Sequence, residues 1–157
     1  MQLLLDVLKQ NGFPKVINYL QSGNLILTYS DKKELLEQTI HDLVESHFKL
    51  DIPVLAVEEK FLSEIVQQNP YVDVDQKMLY VVFFFDQPSI ENVNSFKETF
   101  YENEYFQLND QFAYLHVPNG FGKAKMNNNF FENKLKIKAT TRNWRSVNKL
   151  LELVKNI

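Results

Sequence analysis

The residues best suited to bind an anion form the segment 120–125, which reads Gly-Phe-Gly-Lys-Ala-Lys. The pattern predicts a glycine turn that enters a helix over 124–135, and backbone N–H groups at a helix N-terminus attract phosphate or carboxylate. Lys123 and Lys125 are expected beside those groups. The spacing differs from a Walker A loop, which has four residues between its glycines and a Ser or Thr after the lysine. A glycine turn with two hydrated lysines is the alternative explanation.

A second basic segment, 140–145, contains both arginines and the only tryptophan of the chain. Arg142 is predicted at the end of a strand, and its guanidinium can donate two parallel hydrogen bonds to one anion. We expect it to complete a cationic pocket with Lys123 and Lys125. A structural alternative is that Asn143 caps the last helix and Trp144 is buried in its first turn.

The polar segment 21–24 is predicted to form a tight turn between two strands, with Gly23 or Asn24 at positive φ. The side chains of Gln21, Ser22 and Asn24 are candidates to line a cleft at the junction of two halves of the chain. Turn geometry alone also explains these residue types.

Other residues that could carry chemistry lack a suitable pattern. The three histidines, His41, His47 and His116, have no partners at metal-ligand spacing, and the chain has no cysteine. We therefore expect no metal and no cofactor. No general base or nucleophile is identified, so the catalytic residues are unknown and an enzymatic activity stays an open alternative.

The elements that must position these residues are read from hydrophobic periodicity and turn signals. Residues 79–85 form an unbroken apolar run, which predicts a central strand covered on both faces. Helices are predicted at 2–10, 31–48, 58–68, 124–135 and 144–155, and Ser30 is predicted to cap the helix at 31–48. A further helix is predicted after Ser89, with Ile90, Val93, Phe96 and Phe100 facing inward. Strands are predicted at 15–21, 25–29, 53–57, 79–85, 105–108, 112–117 and 137–142, with a hairpin turn at Asn109-Asp110.

This order predicts an α+β protein with two ferredoxin-like, or split βαβ, halves and an added C-terminal helix. The first half, 1–70, lacks an opening strand, and the second half is 78–157. Residues 71–77 are polar and rich in aspartate, which is typical of a linker.

Composition and charge narrow the function classes. The chain has 157 residues, is 45% hydrophobic and contains no cysteine, which is typical of a globular protein of the cytoplasm. Its longest apolar run is far shorter than the roughly 20 residues that cross a bilayer, so no membrane is expected. Residues 1–118 carry 8 Lys+Arg and 18 Asp+Glu, whereas residues 119–157 carry 9 and 2. This asymmetry indicates either a surface that faces an anionic partner or mutual neutralisation of the two segments.

Three segments, 19–24, 120–125 and 139–144, carry a resemblance to a larger group of proteins. In their order and spacing along nearly the whole chain, they resemble the uncharacterised, largely bacterial family called domain of unknown function 1697. The resemblance implies duplicated ferredoxin-like halves and no established activity.

Two departures from that family are visible. Its members usually begin with a strand and a glycine-rich loop, whereas this chain begins at the helix expected after them. The expected explanations are a sheet that closes over the gap, a strand from a second copy, or a true start upstream of Met1. The family also tends to have arginine and serine where this chain has Lys123 and Ala124.

Three functions follow as hypotheses. The first is a binding module in which the basic C-terminal half engages an anionic partner, either a phosphorylated small molecule or a nucleic acid. The second is an enzyme acting on a small anionic substrate, with the same cations stabilising negative charge. The third is a self-assembling or adaptor protein, such as a homodimer.

Overall fold

The fold is mixed α+β, as predicted, with six α-helices and two small antiparallel sheets. The structure is a computed structural model that describes residues 1–157. In chain order, the elements are α1 (Gln2–Gln10), β1 (Ile17–Tyr19), β2 (Asn24–Ile26), α2 (Lys33–Phe48), α3 (Glu59–Gln67), β3 (Leu79–Phe84), α4 (Ile90–Lys97), β4 (Tyr105–Leu108), β5 (Phe112–His116), α5 (Asn128–Leu135), β6 (Ala139–Asn143) and α6 (Trp144–Val154). Short 3-10 turns cover Gln76–Met78 and Phe121–Lys123.

The chain divides into two compact units. The first comprises Met1–Ile65 together with Lys149–Ile157, and the second comprises Val66–Asn148. In the first unit, β1 and β2 form a two-stranded antiparallel sheet, and α1 and α2 share a small core. Six fully or nearly buried residues form that core: Leu5, Leu8, Phe13, Val16, Ile40 and Val44.

The second unit contains a four-stranded sheet with the order β4-β5-β3-β6, in which every neighbouring pair is antiparallel. The predicted central position of the apolar strand is confirmed, because β3 lies between β5 and β6 and five of its six residues are buried. One face of the sheet packs against α4 and α5 around Phe96 and Phe131, with Ala113, Leu115 and Val117 contributed from β5 and its end.

Several predicted elements differ from the structure. The strand expected at 53–57 does not form, since Pro53 has no N–H to donate and the N–H of Ala56 donates instead to Glu37 Oε1 at 2.7 Å. Ser30 does not cap α2; Lys32 occupies the N-cap position without a side-chain hydrogen bond. The expectation that Ile90 faces inward was also wrong, because its side chain is 80% exposed.

Two further corrections concern the second unit. Helix α4 ends at Lys97, so its helical spacing does not reach Phe100, which is 81% exposed instead of facing inward. The hairpin between β4 and β5 closes with the N–H of Asn109 donating to Phe112 O at 2.8 Å. The two turn residues are therefore Asp110 and Gln111, one position later than predicted.

Candidate functional site

The glycine-rich segment does not lead directly into a helix, which corrects the prediction of a helix over 124–135. Residues Phe121–Lys123 form a single 3-10 turn, and α5 begins only at Asn128. Asn127 caps α5 by accepting a hydrogen bond from the N–H of Phe130 at 3.0 Å. Lys123 and Lys125 therefore lie in a loop before the helix, not in its first turn.

The backbone N–H groups of this loop do bind a carboxylate, but it is one from the same chain. Glu104 Oε1 accepts a hydrogen bond from Lys125 N, and Glu104 Oε2 accepts one from Met126 N, each at 2.7 Å. The ammonium of Lys125 lies 5.1 Å from the ring centroid of Tyr101, in cation–π geometry. These contacts join the turn before β4 to the loop before α5.

A cleft of about 340 Å³ lies between the turn before β4 and the loop that follows β5. It is lined by Asn103, Glu104, Val117, Asn119, Gly120, Lys123 and Ala124. Gly120 adopts φ 85° and ψ 149°, a backbone conformation that is essentially restricted to glycine, and this conformation turns the chain from β5 into the lining. The shape of the cleft therefore depends on the glycine turn that was predicted at Gly120.

The two charged groups in the cleft lining, Glu104 and Lys123, differ in their bonded partners. Its carboxylate, Glu104, has both oxygens engaged by backbone N–H groups. Its one cation, Lys123, takes part in none of the three ion pairs of the protein, which involve His41 and Lys149. The ammonium of Lys123 is therefore the charged group of the lining that could pair directly with an anion.

Arg142 does not line this cleft. Its register partner on β3 is Val81, and alternation along β6 places it on the face of the sheet opposite to Thr141, whose hydroxyl donates to Asn128 Oδ1 of α5. The guanidinium donates to Thr140 Oγ1 at 2.7 Å and to Thr141 O at 2.9 Å. Burial lowers the pKa of Arg142. Arg142 therefore lies on the sheet face opposite to the one on which Val117 of the cleft lining packs.

The structural explanation for the neighbouring residues is confirmed. Asn143 Oδ1 accepts a hydrogen bond from Ser146 N at 2.8 Å and so caps α6, and the side chain of Trp144 is buried.

The polar turn of the first unit is organised by Asn24. This side chain is buried and donates to Tyr19 O at 3.1 Å and to Ser22 Oγ at 2.8 Å. Gly23 has φ 77°, as predicted, and Gln21 and Ser22 are exposed. Asn24 therefore braces the turn, and a ligand-binding role for Gln21, Ser22 and Asn24 stays a prediction.

A group of three neighbouring rings, which the sequence did not suggest, lies at β4 and β5 of the second unit. The ring centroid of His116 lies 5.8 Å from that of Tyr105, with an interplanar angle of 20°, and 5.8 Å from that of Tyr71. Burial lowers the pKa of His116, an effect that the negative charge of Asp75 partly opposes, and burial raises the pKa of Tyr71. Tyr105, at one end of the group, is 48% exposed.

One cluster in the first unit has the composition of a cation site. His41, Asp42 and Glu45 have potential ligand atoms within 4.8 Å of one another. The two ring nitrogens of His41 face carboxylates, Asp51 at 3.0 Å and Asp42 at 3.4 Å, and these contacts raise its pKa. The arrangement favours a protonated imidazole, which is itself the cation of the cluster.

The sequence missed the importance of Glu104 and Tyr105. Glu104 is separated by 21 residues from the first N–H group that it binds, and nothing local marks this pairing. The pairing of Tyr105 with His116 follows from the hairpin register, so a correct turn position would have found it.

Comparison with known proteins places the chain in a family without assigning an activity. No curated protein matches it. Its structure is similar to that of the conserved bacterial protein SP0830 from Streptococcus pneumoniae, with a TM-score of 0.73 over 98% of this chain and 86% of that chain. At 16% identity, this likeness shows the fold alone. None of the helices has the length and apolar character needed to cross a membrane. A family profile matches residues 1–114, and the chain therefore belongs to the family described as "Protein of unknown function (DUF1697)".

Proposed function

We propose that this protein is a binding module for an anionic ligand, either a phosphorylated small molecule or a nucleic acid, and that the cleft beside Lys123 receives the anion. The observation that carries the proposal is the difference in bonded partners between the two charged groups of the cleft. Its carboxylate is occupied by two N–H groups, whereas its ammonium has no ion-pair partner. An incoming anion would find an available cation there without displacing an internal salt bridge.

The surroundings of Lys123 support the same function. The amide side chains of Asn103 and Asn119, both exposed, offer hydrogen-bond donors within the lining. The segment 119–157 also carries 9 Lys+Arg against 2 Asp+Glu, which favours the approach of a negatively charged ligand over distance. Lys125 contributes to this field, although its ammonium rests on Tyr101. Arg142, on the other sheet face, is expected to contribute through the field and not by direct contact.

The binding function is tested with inorganic tripolyphosphate as the probe, by isothermal titration calorimetry at low and high salt. Lys123→Gln removes the available charge, and we expect affinity to fall about tenfold, the loss of one charge-assisted hydrogen bond. Lys134→Gln is the matched control, since Lys134 is an exposed lysine of α5 outside the cleft. Equal affinities for the two variants, or an affinity that salt does not change, would contradict the proposal.

An enzyme that uses the same cleft is a weaker proposal. Glu104 is the only lining residue with a carboxylate, and both of its oxygens already accept backbone hydrogen bonds, so it is poorly placed to accept a proton.

Self-assembly as a homodimer is a second candidate, favoured by apolar side chains around the small sheet of the first unit. Ile17 and Leu20 are both largely exposed, and a two-stranded sheet is marginally stable by itself. Sedimentation velocity across a wide concentration range tests this candidate, and a monomer at every concentration would remove it.

We further propose that the chain is a duplication of ferredoxin-like halves, 1–70 and 78–157, of a cytoplasmic protein. The order β4-β5-β3-β6 with antiparallel neighbours supports this for the second half, because it is the split βαβ arrangement. The series α1-β1-β2-α2 of the first half repeats the series α4-β4-β5-α5 of the second. The absence of cysteine supports the cytoplasmic location.

A further inference from the structure

The two outer strands of the four-stranded sheet differ in how their free edges are covered. On β6, the C=O of Lys138 accepts a hydrogen bond from Phe85 N at 2.9 Å, so alternation directs the backbone groups of Ala139 and Thr141 away from β3. These outward groups meet side chains of the same unit, which block the β6 edge against a further strand. The N–H of Ala139 donates to Glu132 Oε1 at 2.9 Å, the C=O of Ala139 accepts from Asn128 Nδ2 at 3.0 Å, and the C=O of Thr141 accepts from Arg142 Nη1 at 2.9 Å.

The outer edge of β4 carries no such cover. Because Asn109 N donates to Phe112 O at 2.8 Å, alternation along β4 directs the N–H and C=O groups of Phe106 and Leu108 away from β5. None of these four backbone groups has a hydrogen-bond partner in the protein. The strand also contains no proline and no charged residue, the features that commonly block an edge against a further strand.

The two sides of this edge differ in polarity. Phe106 and Leu108 pack against the core on the side of the sheet that faces the helices. Tyr105 and Gln107 are exposed on the opposite side. A strand added to β4 therefore has one set of alternate residues beside apolar side chains and the other set beside a phenol and an amide.

The surroundings of β4 are acidic. Between residues 98 and 122 the chain has four carboxylates and no lysine or arginine, and the exposed Glu102 and Asp110 flank the two ends of the strand. A second copy of the chain is disfavoured by these charges, because antiparallel pairing of Phe106 with Leu108 of the copy places Asp110 opposite Glu104. A segment with basic residues at both ends is complementary to the same charges.

We propose that the outer edge of β4 binds an extended segment of a partner protein, which adds to the sheet as a fifth strand. The segment has alternating apolar and polar residues and basic residues at both ends. Its backbone groups pair with those of Phe106 and Leu108, as in other complexes that form by strand addition. This interaction is separate from the anion cleft and does not involve Lys123.

The geometry is tested with a blocked synthetic peptide, Lys-Lys-Val-Thr-Val-Thr-Val-Lys-Lys, whose affinity is measured by calorimetry. Two further peptides carry backbone N-methyl groups, one on the first two valines and the other on the two threonines. Only alternate N–H groups of an added strand face β4, so one methylated peptide should bind at least about tenfold more weakly than the other. Equal affinities for the two methylated peptides would overturn the proposal.

The charge of the partner is tested with Asp110→Lys, and Asp31→Lys is the matched control. Asp31 is exposed before α2 in the first unit, so both variants change the net charge equally. We expect Asp110→Lys to weaken binding of the peptide by about threefold to tenfold and Asp31→Lys to leave it unchanged. The same affinity in both variants would contradict a basic partner.

The edge itself is tested by comparing Leu108→Pro with Leu108→Ala. Both variants lose the leucine side chain, but only proline removes the outward N–H, and neither removes a hydrogen bond to β5. We expect Leu108→Pro to bind the peptide about fivefold more weakly than Leu108→Ala. Equal binding would overturn the proposal, and if the urea midpoint shows that Leu108→Pro does not fold, the methylated peptides decide. A dimer in sedimentation velocity that Leu108→Pro abolishes would identify a second copy as the occupant and would also overturn it.

Discussion

Removal of the Glu104 carboxylate should destabilise the second unit, since this side chain joins two loops that are distant in sequence. In Glu104→Ala, the N–H groups of Lys125 and Met126 both lose their acceptor. Lys125 is exposed, so water can replace the carboxylate there, whereas Met126 is fully buried. An unsatisfied buried N–H costs about 1–3 kcal/mol, and we expect the free energy of unfolding to fall by about 2 kcal/mol.

The assay is urea-induced unfolding followed by circular dichroism, with Glu102→Ala as the matched control. Glu102 lies two residues away, is exposed and makes no hydrogen bond or ion pair, so its removal should change the free energy of unfolding by less than about 0.5 kcal/mol. The free energy of unfolding of Glu104→Gln should lie between those of Glu104→Ala and Glu102→Ala, because the amide oxygen accepts one N–H while the amide nitrogen faces the other. If Glu104→Ala unfolds at the same urea concentration as Glu102→Ala, the two hydrogen bonds do not hold the loops together.

Two further predictions concern the backbone and the pH dependence. Gly120→Ala should lower the free energy of unfolding by about 1–3 kcal/mol because φ is 85° at this position. Gly122 has no positive φ and open space where a Cβ would lie, so Gly122→Ala should be neutral or slightly stabilising. Similar urea midpoints for the two variants would contradict this explanation of the turn. The pKa of His116 is lowered, so the free energy of unfolding should fall as pH drops through about 6.5, because only the unfolded chain takes up that proton readily. The pKa of His41 is raised, by Asp51 and then Asp42, and its effect has the opposite sign. The stabilisation from His41 is present at low pH and is lost as pH rises. Between about pH 7.5 and pH 5.5, His116→Phe should therefore lose less stability than the unmodified protein, and His41→Gln should lose more. The measurement is the urea midpoint of each variant at the two pH values. The same change of midpoint with pH in both variants would contradict these assignments.

Hydrophobic patterning predicted the second unit well because its core dominates its sequence. The unbroken run of β3 identified the central strand, and the alternation in β5 identified the face that packs on the helices. The hairpin turn was predicted one residue early, at Asn109-Asp110. The resulting two-residue shift in pairing leaves every side chain on its predicted face, so patterning alone does not distinguish the two registers.

Two of the mispredicted features involve contacts between residues distant in sequence. At the start of α5, predicted at 124 and found at Asn128, Asn127 caps the helix, and the N–H groups of Lys125 and Met126 before it donate to Glu104. The strand at 53–57 fails because Glu37 takes the N–H of Ala56. At 53–57 a carboxylate 19 residues away takes an N–H group that a strand could have used, and local propensity carries no information about that competitor.

The candidate site was predicted in part. The loop 120–125 was correctly expected to offer backbone N–H groups to a carboxylate or phosphate, but the structure shows that two of them hold Glu104. Lys123 lines a cleft, whereas Arg142 lies on the face of the sheet opposite to Thr141. Alternation along β6 therefore decides the position of Arg142, and it depends on a strand register that single-residue motifs do not encode.

The most direct test of the anion cleft is a titration with inorganic phosphate followed by the backbone amide resonances in nuclear magnetic resonance. We expect the amide resonances of Asn119, Gly120 and Lys123 to shift together and to saturate with one dissociation constant. Shifts that do not saturate, or that appear equally at exposed lysines outside the cleft such as Lys97 and Lys134, would contradict it.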